Sequence, residues 1–417
     1  MSPESAVFQG RLDQCVIDQV GLGCYTFGAL LDRLPGLYPT ELLDALKRLE
    51  SNGKMSNKVL YGSSARPVVG DTSTSYYESI IGHMPTPHPL DFDWRFTPET
   101  AYRLQELCLD LTAVGDVVAY LGCPTVFRLS IGKKQGRGFV LFDKNRAHLR
   151  WTTSGQFRRM DLLSESIPIL HSNLTLADPP WYRPYEHAFL KAASRITKLD
   201  GLILVTRPAL WTKPNVQKDW DLFLHRSTEL GLSHLRTYPA ILRYDSPYFE
   251  RNSLRAAGMD FAPKNWRRGD LVVFRKIIST PTVERMTRYH YDEWLDPSHF
   301  GFRVRNSGVE RDRRFNDPSL ISLVPGDVLP SVSRADPTRW LADVWTEGNR
   351  VFACRAPHVL QTILEALEEG KSVKGSVCLR IGRNLRSNEV KRVAHAIQQV
   401  IDIINLEKTE RDRFEKS

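Results

Sequence analysis

From residue 116 onward the hydrophobic positions gather into short runs: "DVVAYLG" (116–122), "GRGFVLFD" (136–143), "QFRRMD" (156–161), "NLTLAD" (173–178), "GLILVT" (201–206), "LRTYPAIL" (235–242) and "DLVVFRK" (270–276). Helical periodicity fills several of the gaps, most clearly in "RPYEHAFLKAASRITK" and "NVQKDWDLFLHRSTELG". Strands that are apolar on both sides and alternate with amphipathic helices predict a mostly parallel sheet covered on both faces. The expectation is an α/β fold with a Rossmann-like seven-stranded sheet, and ligands of such sheets bind outside the carboxyl ends of the strands.

The flanks follow other patterns. Residues 1–64 read as three short helices, "RLDQCVIDQVG", "TFGALLDRL" and "YPTELLDALKRLESNGK", followed by "KMSNKVLYGSS" as a short wing. Leu42, Leu43, Leu46 and Leu49 recur at helical spacing behind Thr40 as a candidate cap. This is a winged-helix-like domain, equally suited to DNA binding and to docking. Its candidate recognition helix carries Lys47, Arg48 and Lys54 but also Glu41, Asp44 and Glu50. Residues 65–96 are rich in Pro, Ser, Thr and Gly and read as a linker. Thr97 and Pro98 then open a helix that begins the sheet domain, 97–280. A charged, aromatic connecting segment, 281–332, leads to a small α+β domain, 333–417. There, strands are expected at "NRVFACRA" and "SVCLRIG", with helices at "PHVLQTILEALEEG" and through "SNEVKRVAHAIQQVIDIINLEK".

Composition narrows the partners. Among 417 residues, 57 Lys and Arg against 48 Asp and Glu give a net charge of +9, which favours a polyanion such as DNA or RNA. The six cysteines show no CxxC pair or Cys/His cluster at metal-ligand spacing, so no metal is expected. No window approaches about 18 consecutive apolar residues and the first residues do not read as a signal peptide, so a cytoplasmic protein without membrane insertion is expected.

The ends of the first four strands carry the candidate chemistry. They are the turn Gly122-Cys123-Pro124, then Asp143, then Asp161, then Asp178-Pro179-Pro180-Trp181. A glycine turn or an acid after a strand is often only a turn or a helix cap. Their succession along one rim is what suggests a ligand. Asp143 stands where a ribose hydroxyl pair is gripped in nucleoside-binding sheets.

The sequence "LADPPWY" has a chemical rationale. The exocyclic amine of adenine is a poor nucleophile because its lone pair is delocalised into the ring. A carboxylate and a backbone carbonyl that accept its two N–H groups turn that lone pair toward an electrophile. Consecutive prolines fix those acceptors, and an aromatic beside them can stack on a base. Asp178 is thus the polar anchor, Pro179 and Pro180 set the geometry, and Trp181 or Tyr182 is the stacking platform.

On "VVAYLGCPTVF", "FVLFDKNRA", "LTLADPPWY" and "DGLILVTRPALW", residues 117–276 resemble the N6-adenine-methyltransferase-like family, which acts on nucleic acid and, in some members, on protein lysine. The resemblance implies S-adenosylmethionine as cofactor, held near Gly122, Cys123, Pro124, Asp143 and Asp161, with Asp178 to Trp181 facing the acceptor. Tryptophan replaces the commoner Tyr or Phe of that motif. The start of the chain also resembles the branched-polyamine aminopropyltransferases, but Gly122-Cys123-Pro124-Thr125 stands where those carry GDDD. Methylation of adenine N6 in DNA or RNA is the leading expectation. Lysine methylation, aminopropyl transfer and a catalytically silent scaffold are the alternatives.

Overall fold

The computed structural model describes residues 3–55, 59–60, 72–133, 136–153, 155–164, 167–279, 294, 299–306, 315–333 and 336–416. They fall into two compact units. One comprises Met1–Pro85, Trp94–Ser246 and Phe261–Tyr289, and the other Thr86–Asp93, Pro247–Asp260 and His290–Ser417.

The first unit opens with α1 (Pro3–Gly21), α2 (Phe27–Arg33) and α3 (Pro39–Ser51). α1 buries Phe8, Leu12, Val16 and Val20, four residues apart on one face. Thr26 caps α2 by accepting the Ala29 N–H. α3 starts at Pro39 behind an extended Tyr38, so Thr40 lies inside the helix and is not its cap. Proline at the first helical position gives up an N–H that has no partner there anyway. Of the expected wing, Leu60 exchanges backbone hydrogen bonds with Tyr25 and Phe27, while residues 56–58 and 61–64 lie outside the described residues, as does the start of the expected linker. Within the rest of that linker, α4 (Thr72–Ile81) turns Tyr77 and Ile80 into the sheet core. Its own first turn, Thr72-Ser73-Thr74-Ser75, disguises the helical spacing. α5 (Pro98–Asp110) is capped by Thr97 as expected.

The sheet contains β1 (Val117–Leu121), β2 (Gly138–Asp143), β3 (Phe157–Arg159), β4 (Ser172–Ala177), β5 (Thr197–Pro208), β6 (Leu232–Tyr244) and β7 (Arg267–Lys276). Their order across it is β3-β2-β1-β4-β5-β7-β6, with β7 antiparallel to both neighbours. Helix α6 (Pro124–Ile131) follows β1, α7 (Arg183–Ile196) follows β4 and α8 (Val216–Glu229) follows β5. Alternation along β1 divides the core, because Val118 and Tyr120 join the α4–α5–α6 side while Ala119 and Leu121 join the α7–α8 side.

The second unit holds α9 (Tyr248–Ala256) and an antiparallel sheet of β8 (Phe302–Val304), β9 (Leu320–Ser322), β10 (Val344–Thr346) and β11 (Val351–Cys354), in the order β8-β10-β11-β9. α10 (Pro357–Glu368), α11 (Val373–Ile381) and α12 (Ser387–Lys416) complete it. β8 and β9 fall within the stretch read as a connecting segment. "SVCLRIG", expected as a strand, belongs to α11: Ser372 caps it, Val377 and Ile381 are buried one turn apart, and Gly382 ends it at φ +73°.

Candidate functional site

Leu121 pairs with Phe142 of β2 and Ala177 of β4. The next residues, Gly122, Asp143 and Asp178, therefore stand side by side on the carboxyl rim, about 5 Å apart per strand. The strand order reverses between β1 and β4, which makes this the switch point of the sheet. The Gly122 N–H donates to Phe142 O and the Asp178 N–H to Leu121 O, both at 3.0 Å. Gly122 has φ +62°, and a Cβ there would lie 2.9 Å from Phe189 Cε1 and 3.1 Å from Asp178 O. Only glycine lets the turn pass that close to the end of β4.

The other expected cofactor residues differ in what they present. Pro124 opens α6. The Cys123 thiol is buried against Leu121 O, 3.3 Å away, and burial, followed by the negative charge of Asp178, pushes it well above its ordinary range. It is a neutral core group, which leaves Cys123 only its backbone to offer a ligand. The Asp143 carboxylate accepts the Asn145 N–H at 2.8 Å and has His148 Nε2 at 3.9 Å. Asp161 accepts the Leu163 N–H at 3.0 Å. Both acids thus fix the turns that follow their strands.

At Asp178, Oδ1 accepts the Tyr244 hydroxyl at 2.9 Å and the Thr206 hydroxyl. Burial, followed by the Asp178 charge, holds the Tyr244 phenol well above its ordinary value, so it stays a donor. Along the turn, Pro180 O accepts the Tyr182 N–H at 2.7 Å and Trp181 O accepts Lys213 Nζ at 3.3 Å. Tyr182 occupies the cap position of α7. Trp181 meets Tyr244 edge to face at 5.3 Å. A Cβ on Gly269 would come within 3.0 Å of the Trp181 ring, so this glycine leaves room for the indole. Arg267 lies 5.5 Å from the Trp181 centroid, 4.6 Å from that of Trp94 and 4.8 Å from that of Trp266.

Arg267 and Gly269 lie in the basic stretch "NWRRGD" (265–270), a pattern open to phosphate contact or to a solvated loop, and Thr206 is the polar end of the apolar run "GLILVT", whereas nothing local marks Trp94 as a site residue.

The N-terminal helices border this rim. Trp211, after β5, donates its N–H to Pro35 O at 3.3 Å and packs on Phe8. Trp266, before β7, meets Tyr38 edge to face at 5.1 Å, and Arg268 pairs with Asp32. α3 turns Glu41, Asp44, Lys47 and Glu50 outward, while Arg48 is tied to Asp13 at 2.7 Å. Among the described residues there is no group of three or more His, Cys, Asp or Glu placed to hold a metal ion, and no helix is long and apolar enough to cross a membrane.

No family model matches the chain, and no curated protein matches it in sequence. Among solved structures, a branched-chain polyamine synthase from Thermus thermophilus, in complex with N4-aminopropylspermidine and 5′-methylthioadenosine, is similar with a TM-score of 0.53 at 13% identity, over 68% of this chain and 91% of that one. A C9 mutein of that enzyme gives the same TM-score and identity over 70% and 97%. A putative RNA methyltransferase from Pyrococcus horikoshii has a TM-score of 0.35 at 16% identity, over 50% of this chain and 100% of that one. The fold is a Rossmann-like seven-stranded sheet, an architecture it shares with the polyamine synthase. Within it, the Gly122 turn, Asp143 and Asp178 occupy the rim of β1, β2 and β4.

Proposed function

We propose that this chain is an S-adenosylmethionine-dependent methyltransferase whose acceptor is an amine, N6 of adenine in nucleic acid above all. The observation that carries this reading is the Asp178 carboxylate, fixed by Tyr244 and Thr206 at the head of a Pro-Pro-Trp turn. Gly122 lets the turn after β1 pass close to the end of β4, since a Cβ there would collide with Phe189 and Asp178 O. This keeps the strand-end backbone at the rim where the cofactor would lie. Gly122, Cys123 and Pro124 would offer backbone there, and Asp143 and Asp161 would stand at the adjacent strand ends. When bound, the cofactor supplies a sulfonium methyl as electrophile. Asp178 and the Pro179 carbonyl take the two N–H groups of the amine and hold its lone pair in line. Trp181, backed by Tyr244, bounds the acceptor on one side.

A second reading, aminopropyl transfer to a polyamine, is favoured by two observations. The polyamine synthase is similar over most of both chains, and the outward face of α3 is acidic. Against it stands Gly122-Cys123-Pro124-Thr125, which offers no carboxylate to a polycation. A nucleic-acid acceptor would draw on the net charge of +9 and on Arg267 near Trp181, not on α3.

Labelled S-adenosylmethionine and its decarboxylated form, each supplied with DNA, RNA, protein and polyamines, separate these readings. Methyl label in nucleic acid, reduced at least about 100-fold by Asp178→Asn with cofactor binding by calorimetry retained, is the expected result. Label only in protein, or only in polyamine from the decarboxylated form, overturns the adenine reading.

A further inference from the structure

Three indoles, one of them Trp181 of the proposed acceptor site, surround one guanidinium. Trp94, Trp266 and Trp181 have their ring centroids 4.6, 4.8 and 5.5 Å from Arg267 Cζ. Arg267 opens β7 and pairs across the sheet with Tyr244, whose hydroxyl donates to Asp178. The nest is held from behind. Trp266 is only 4% exposed and locked against Tyr38, and Gly269 leaves no room for a side chain beside Trp181. Trp94 and Trp181 are half-buried and complete the group.

Aromatic rings beside an aspartate would, with nothing between them, make a good cage for an ammonium group. Here a cation of the protein already fills that role. A guanidinium stays protonated at every physiological pH, and like charges a few ångströms apart in a partly desolvated site repel strongly. The same planar group stacks well on a flat, electron-rich ring.

We infer that Arg267 determines the acceptor class of this site, admitting a neutral planar base against the indole cluster and excluding polycationic amines. This rests on the reading of Asp178 to Trp181 as the acceptor site. Arg267→Met is the direct test, because it removes the charge and keeps most of the apolar stem. Arg267→Lys keeps the charge and loses the plane.

The readout is quenching of the intrinsic tryptophan fluorescence of the full chain, titrated with single-stranded oligoadenylate and with spermine. Trp181→Leu assigns the signal, and a thermal melt checks each variant. In the wild type oligoadenylate quenches and spermine does not. Arg267→Met weakens oligoadenylate about 30-fold, the scale of a desolvated cation–π contact, and spermine then quenches with saturation. Arg267→Lys still excludes spermine but loses part of the oligoadenylate affinity, and it decides the matter alone if the Met variant does not fold. Spermine binding to the wild type, unchanged oligoadenylate binding in Arg267→Met, or spermine binding to Arg267→Lys each overturns the inference. The titration needs no turnover. A failure of label transfer to any acceptor would sink the methyltransferase reading, while the quenching result would still decide the role of Arg267.

Discussion

A carboxylate on a loop can point in many directions, and two hydroxyls fix this one. Tyr244 and Thr206 both donate to the same oxygen of Asp178. A hydrogen bond to a charged group contributes about 1.5–3 kcal/mol. Tyr244→Phe should therefore lower kcat about 10- to 100-fold while leaving calorimetric cofactor affinity unchanged, since the ring still packs on Phe96 and Trp181. An unaltered kcat would show that Asp178 needs no orientation. The motif "DPPW" marked Asp178 and Trp181 in the sequence, but their partners come from 28 and 66 residues away. No local pattern encodes that meeting. Cys123 shows the converse, a residue inside a suggestive turn whose side chain belongs to the core.

At the scale of elements, α3 carries the clearest lesson. Its apolar spacing was plain, and Leu42, Leu46 and Leu49 are buried as that spacing requires. Its charge pattern alone did not choose between reading DNA and docking. With Arg48 engaged by Asp13, the outward set of Glu41, Asp44, Lys47 and Glu50 repels phosphate. Lys47→Ala is expected to leave the affinity for DNA or RNA and its salt dependence unchanged, measured by fluorescence anisotropy over a range of ionic strength. A salt slope reduced by about one unit would place α3 on the phosphates. α11 was misread because Val377, Leu379 and Ile381 alternate like a strand, whereas the residues buried are one helical turn apart. Leu379 is 84% exposed, a cost that alternation cannot anticipate.

At the scale of the whole molecule, each unit has its own core, and the second contains a buried titratable group. His88 Nδ1 accepts the Leu90 N–H at 3.2 Å, so Nε2 carries the proton it offers to Trp345 O at 3.3 Å. Burial, then the charge of Arg303, holds His88 down from 6.5 to about 3. A base with a depressed folded value contributes stability above its unfolded value and loses it as pH falls. Unfolding free energy should therefore drop between 6.5 and about 3, by up to about 1.4 kcal/mol per pH unit. In denaturant titrations at several pH values, His88→Gln, which does not titrate, should lose that slope. An identical slope in the variant would assign it to other groups.

The amino-acid sequence by itself determined the alternation of strands and helices, the burial of the apolar runs of β1, β2, β4, β5 and β7, and the placement of Asp178-Pro179-Pro180-Trp181 at the end of the fourth strand; the run of β6 is largely exposed. Those features depend on spacing along the chain, which hydrophobic periodicity records directly. Only the tertiary structure decided that β7 inserts antiparallel between β5 and β6. That insertion carries Arg267 and Gly269 to the rim beside Trp181 and sets Tyr244 opposite Arg267. The physical reason is strand pairing: it joins residues by register across the sheet, whatever their distance in sequence.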